Sequence, residues 1–296
     1  MFSKVMLAMD LTEVTPQILE AFYSVCPASE TEVYLLHVVE DAASAEASSK
    51  YYKKNYSRLK GLAQDIKNAG YDHVEILWQL NNDVIEGTQT AIEQHDIELL
   101  LLGSHGKGLW ESTFGGSNIF NAIRTVELPT LVVKDGYVCS DYLQRILLPT
   151  DFSRKSLVAL KLIRNLREQI GEVIFVHVVE NTRGEEELRE RMDLAEDMLI
   201  ELRNEMQNFG VHSRYILVES GTASKEICRI AEEEDCSLIF SGKTGAGPIK
   251  GMLMGSTAQN ILLNSTRSLW IMPDDDSDEQ KELDITGDSP YNILRG

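Results

Sequence analysis

Short apolar runs alternate with amphipathic stretches along the 296-residue chain. Lys4 to Met9 is apolar and stops at Asp10, the pattern of a strand buried on both faces. Ile18, Leu19, Phe22, Val25 and Cys26 then share one helical face, with Thr12 or Thr15 as the expected cap and Pro16 suited to the first turn. Glu32 to Val39 reads as a second strand. A long helix carries Tyr52, Tyr56, Leu59, Ala63 and Ile66 in steps of four and three, and Gly70 is placed to end it. A strand over 73–78, a helix over 84–94 and a strand over 98–102 follow. A loop over 104–115, a helix over 116–124 and a strand over 130–134 complete the set, with 135–144 as a linker.

The pattern then starts again. Arg145 to Asp151 repeats the first strand, and Glu172 to Val179 repeats Glu32 to Val39, with Glu-Val at the start and His-Val-Val at the end of both. The second long helix carries Leu188, Met192, Ala195, Leu199, Leu202, Met206 and Phe209, and Gly210 ends it. Further elements are expected over 214–218, 225–233, 237–240, 255–263 and 269–272. Strands alternating with helices call for a parallel sheet covered on both faces. The expected fold is α/β: two tandem repeats of an open five-stranded parallel-type sheet flanked by helices. The expected domains are 1–138 and 139–273, with 274–296 as an acidic tail expected to be disordered.

Charge changes the picture more than composition does. The formal charge is −19, with −9 in 1–140 (19 acidic, 10 basic), −4 in 141–273 (20 and 16) and −6 in the tail (8 and 2). Such a field repels polyanions and argues against nucleic-acid binding. A small anion can still bind, because loop amides supply local positive potential. No apolar run is long enough for a membrane span, and no secretory signal is visible, so the expected location is cytoplasmic. The four cysteines form no CxxC and no ligand spacing, and reduced thiols are expected.

The candidate chemistry lies in a second repeat. Gly103 and Gly106 are followed by Gly116-Ser117, and Gly242 and Gly245 by Gly255-Ser256 at the same spacing, each set between a strand and a helix. Glycines permit close approach of backbone to a phosphate, and first-turn N–H groups point at it. In an open parallel sheet, ligands sit beyond the carboxyl ends of the strands, where strand order switches. Asp10 or Asp151 there can accept from a ribose hydroxyl or hold a metal. The backbone near Val38 or Val178 can meet a base edge. Tight packing alone is the competing explanation for the glycines. Lys107 and Lys243 are candidate counter-charges. His37 and His177 are read as core histidines bonded at a strand end, with general-base roles as the alternative. No Walker loop, nucleophile elbow, HExxH or paired carboxylates are present.

The duplicated glycine motif, the strand-terminal Asp and the His-Val ending strand two resemble the universal stress protein family, in its tandem two-domain form. The resemblance implies an adenine nucleotide alpha hydrolase-like fold, with a fifth strand used for dimerisation. It also implies a role in stress survival and ATP as ligand, with Mg the ion to consider beside it. By that resemblance Pro149 and Asp151 start the second pocket and Val178 faces adenine. Gly242, Gly245, Gly255 and Ser256 form its phosphate loop, followed by Thr257. The first half keeps Asp10, Val38, Gly103, Gly106, Gly116 and Ser117, but has Ala8 where the family often has proline and Glu111 within the loop. Binding is therefore expected to be better supported in the second half. The expected role is a nucleotide-dependent sensor or switch. Alternatives are a slow ATPase or self-phosphorylating enzyme, and a scaffold without ligand. Within the chain the halves are expected to pair like a dimer, with Val132, Val133 and Ile271 at the junction, and homodimerisation is a further option. No catalytic residue, metal ligand or protein partner is specified.

Overall fold

A computed structural model describes residues 2–11, 14–39, 45–81, 83–104, 117–135, 137, 139–153, 155–180, 182–244 and 254–274; within these, the side chains of 45–51 and 117–120 are left aside. The chain forms two compact units. One comprises Met1–Tyr142 with Thr266–Ile271, the other Leu143–Ser265 with the described residues from Met272 onward.

In the first unit the strands are β1 (Lys4–Ala8), β2 (Glu32–Val39), β3 (Val74–Leu80), β4 (Leu99–Gly103) and β5 (Thr130–Val133). They run parallel in the order β3-β2-β1-β4-β5. Val5, Met6, Leu7 and Leu99 to Leu102 are fully buried, as expected of strands covered on both faces. The helices are α1 (Thr15–Val25), α2 (Ala45–Asn68), α3 (Val84–His95) and α4 (Ser117–Thr125). Thr15 does not cap α1. It lies inside the helix, whose N-cap is Val14 without a side-chain bond, while Pro16 occupies the first turn. Thr12 lies outside the described residues.

The second unit contains β6 (Arg145–Pro149), β7 (Glu172–Val178), β8 (Ser213–Val218) and β9 (Leu238–Gly242), parallel in the order β9-β6-β7-β8. Its helices are α5 (Ala159–Asn165), α6 (Glu185–Asn208), α7 (Ala223–Glu233) and α8 (Ser256–Asn264). Gly70 and Gly210 end α2 and α6 with φ of +102° and +81°. In both cases the following residue donates its N–H back into the last turn, Tyr71 to Ile66 and Val211 to Met206.

The last strand, β10 (Ser268–Met272), follows β9 as β5 follows β4: Lys243 donates its N–H to Met272 as Ser104 does to Val133. Leu269, Trp270 and Ile271 pair antiparallel with Val132, Leu131 and Thr130, so the segment adds a strand to the first unit. Trp270 is fully buried there, 5.9 Å from the Phe2 ring, and the Ser268 hydroxyl accepts the Lys134 N–H. All four cysteines are free. No helix among the described residues is long and apolar enough to cross a membrane.

Candidate functional site

In each unit strand order switches beside the first strand of the repeat, between β1 and β4 and between β6 and β9. Just beyond that switch the two units repeat one local arrangement. Met9 donates its N–H to Leu36, and Thr150 donates to Val176. His37 Nδ1 then donates to the Met9 carbonyl at 2.6 Å, and His177 Nδ1 to the Thr150 carbonyl at 2.8 Å. These bonds fix the two carbonyls immediately before Asp10 and Asp151. The residues after the aspartates, Leu11 and Phe152, adopt left-handed backbone with φ of 60° and 59°. Neither is glycine, so both carry local strain held by the surrounding structure. The histidines serve as strand-end donors, and burial lowers the pKa of both.

The second unit adds polar groups around this frame. Asp151 Oδ1 accepts both the N–H (3.0 Å) and the hydroxyl (2.5 Å) of Ser153. Thr150 Oγ1 accepts the Phe152 N–H and bonds Ser156 Oγ at 3.0 Å. The carboxylate of Asp151 is exposed and oriented by this turn. In the first unit Asp10 is half-buried and is preceded by Met9, which offers no side-chain hydroxyl.

The glycine motifs are only partly described. Gly106, Gly116 and Gly245 lie outside the described residues, as do Lys107 and Glu111; Ser117 is described as the first residue of α4 in backbone only. Gly103 and Gly242 are required by packing. A Cβ on Gly103 would lie 2.5 Å from Val14 Cγ1, and one on Gly242 would lie 2.7 Å from the Lys155 carbonyl oxygen. The N–H of Gly255 is donated to the Lys243 carbonyl at 2.9 Å, which seats the start of α8 on the end of β9. No side chain caps α8, and Ser256 and Thr257 are exposed in its first turn. Pro149 pairs with Val176 in the sheet and is half-buried, while Val178 and Val38 are buried. Asp151, the end of β7 and the start of α8 therefore belong to one unit and one sheet edge. Among the described residues there is no group of three or more His, Cys, Asp or Glu side chains able to hold a metal.

A match to the model of the universal stress protein family covers residues 1–134 and again 143–273. The chain belongs to the universal stress protein family. It is a tandem member, with two family domains in one polypeptide. Universal stress protein MJ0577 of Methanocaldococcus jannaschii is 26% identical over 153 residues, 44% of this chain and 94% of that protein. A second protein of the same organism, universal stress protein MJ0531, is 27% identical over 132 residues, 41% of this chain and 77% of its own length. A universal stress protein of Archaeoglobus fulgidus DSM 4304 superposes with a TM-score of 0.70 at 22% identity, covering 92% of this chain and 97% of its own; at that identity it speaks for the fold.

Against that background the site residue missed by the sequence reading is Lys155. The candidate Lys243 is only 7% exposed, with its backbone donating to Met272 and accepting from Gly255. Lys155, four residues after Asp151, reaches Thr244 at the end of β9 instead. The available signal was a comparison of the halves: the position four residues after Asp10 is Val14, buried and apolar.

Proposed function

We propose that this tandem universal stress protein binds an adenine nucleotide, ATP with Mg, in its second half and acts in the cytoplasm as a nucleotide-dependent sensor or switch. The observation that carries the reading is the shared edge of Asp151, the β7 end and the first turn of α8. Asp151, held by Ser153, would meet the ribose or a magnesium ion. The backbone at Val178 would meet adenine. Ser256, Thr257 and the glycine loop of Gly242, Gly245 and Gly255 would meet phosphates. Magnesium is commonly bound through one or two carboxylates plus substrate phosphates, so a single oriented aspartate fits it. When bound, the ion would supply charge neutralisation at the phosphates.

The first half, with Asp10, Val38, Gly103, Gly106, Gly116 and Ser117, has the same frame. Its turn keeps hydroxyl residues, Thr12 and Thr15, where the second half has Ser153 and Ser156, but has Met9 in place of Thr150 and Val14 in place of Lys155, which favours the second half as the primary site. Domains at 1–138 and 139–273 and pairing of the halves within the chain, at Val132, Val133 and Ile271, belong to the same proposal. The antiparallel register of Thr130–Val132 with Leu269–Ile271 supports that pairing.

Calorimetric titration with ATP and Mg tests the site in the full chain. Asp151→Ala and Gly255→Val are each expected to weaken binding at least about tenfold, the equivalent of ~1.4 kcal/mol. Undiminished binding in both variants would remove the assignment to the second half.

A further inference from the structure

We infer that Lys155 and Thr244 form an anion subsite at the mouth of the second-half loop, and that Asp274 of the same chain occupies it as a displaceable stand-in for a ligand phosphate. Lys155 Nζ donates to Thr244 Oγ1 at 2.7 Å and to Asp274 Oδ2 at 2.9 Å. The Thr244 hydroxyl lies 2.7 Å from both Asp274 oxygens, so it accepts from the lysine and donates to the carboxylate. A cationic donor and a hydroxyl converging on two oxygens of one anion is the donor set a terminal phosphate requires.

Both partners are fixed by backbone. The Lys155 carbonyl packs against Gly242, so the lysine is built onto the end of β9. Lys243 donates its N–H to Met272, two residues before Asp274, and Pro273 between them restricts the tether. In the first half the position of Lys155 is taken by Val14, which packs against Gly103 and is buried.

Magnitude decides what this contact can do. The Lys155 and Asp274 side chains are 44% and 26% exposed, so the pair is partly screened and worth little as a structural brace. The same weakness makes it displaceable. A tethered carboxylate competes at high effective concentration, yet a polyvalent phosphate outbids it in charge. Asp274 also begins the sequence Asp-Asp-Asp-Ser-Asp-Glu, which places further negative charge next along the chain.

The subsite rests on the nucleotide reading above for the identity of its ligand, and two probes separate them. ATP and inorganic tripolyphosphate are titrated into the full chain and into Asp274→Asn, Lys155→Met and the double variant, with circular dichroism confirming the fold of each. Asp274→Asn is expected to bind both probes about tenfold more tightly. Lys155→Met should weaken both and abolish the gain in the double variant. Equal ATP affinity in wild type and Asp274→Asn overturns the stand-in while leaving the nucleotide site. Tighter tripolyphosphate with no ATP binding supports the subsite and overturns the adenine pocket. Binding of neither probe by any variant overturns both.

Discussion

His37 and His177 sit at equivalent places and each donates Nδ1–H to the carbonyl that precedes an aspartate. Neutral imidazole with hydrogen on Nδ1 satisfies that bond, and burial disfavours the charged ring, so both pKa values lie below the ordinary histidine range. In the interval below pH 6.5 the unfolded chain therefore binds more protons than the folded one, and acidification draws the protein toward unfolding. Stability from this source is complete above about pH 6.5 and falls as the pH drops below it. His177→Asn, which keeps a donor near Nδ1, is expected to flatten the decline of the urea midpoint between roughly pH 6.5 and 5. A decline as steep as wild type would remove the histidine from the account. The paired histidines, and the places of Asp10, Asp151, Gly103 and Gly242 at the strand ends, were legible, because each follows a fixed position in a repeated strand. Lys155 was not, since nothing local separates it from the thirteen other Lys and fourteen Arg residues. Its role depends on Thr244 and Asp274, 89 and 119 residues away.

At the scale of elements, periodicity found the strands and helices, and glycines marked the ends of α2 and α6. Two helix ends escaped it. α3 and α7 are followed by left-handed Asp96 and Asp235, with φ of 52° and 47°, where glycine would have been the recognisable signal. Capping was also less local than sequence suggests: the Ala223 N–H at the start of α7 is accepted by Glu180, 43 residues earlier. At the opposite ends of the second-unit strands from the candidate site, Glu172 ties three of them together. It accepts from Arg145 at 2.8 Å and Arg214 at 2.9 Å, while Arg214 also reaches Glu234. Glu172 is 13% exposed, so losing it strands partly buried guanidinium groups. Glu172→Ala is expected to destabilise the protein by about 2 kcal/mol in denaturant titration, with nucleotide affinity unchanged. A loss within ~0.5 kcal/mol would class the network with ordinary surface pairs.

For the whole molecule, duplication was the legible fact, and it carried the α/β fold and the family with it. The neighbour of the last strand was not legible in its local pattern; the expectation of Val132, Val133 and Ile271 at one junction came from the likeness of the two halves. Leu269 to Met272 is apolar throughout, and an apolar run specifies burial without naming the strand it will lie beside. The structure assigns Thr266–Ile271 to the first unit, with Trp270 fully buried. Trp270→Ala is expected to cost about 3–5 kcal/mol, as a large buried aromatic should. Leu263→Ala, at a side chain 56% exposed, should stay within about 0.5 kcal/mol. Comparable losses in the two variants would argue against Trp270 as a core residue. The antiparallel pair also sets an order of events during synthesis. Residues 130–132 leave the ribosome more than a hundred residues before their partners at 269–271. The first unit must therefore wait, its β5 edge unclosed, through translation of nearly all the second repeat. The cost of closing a loop grows only slowly with its length, so the distance in sequence does not bar the pairing, and the chain's last strand is the one that completes its first unit.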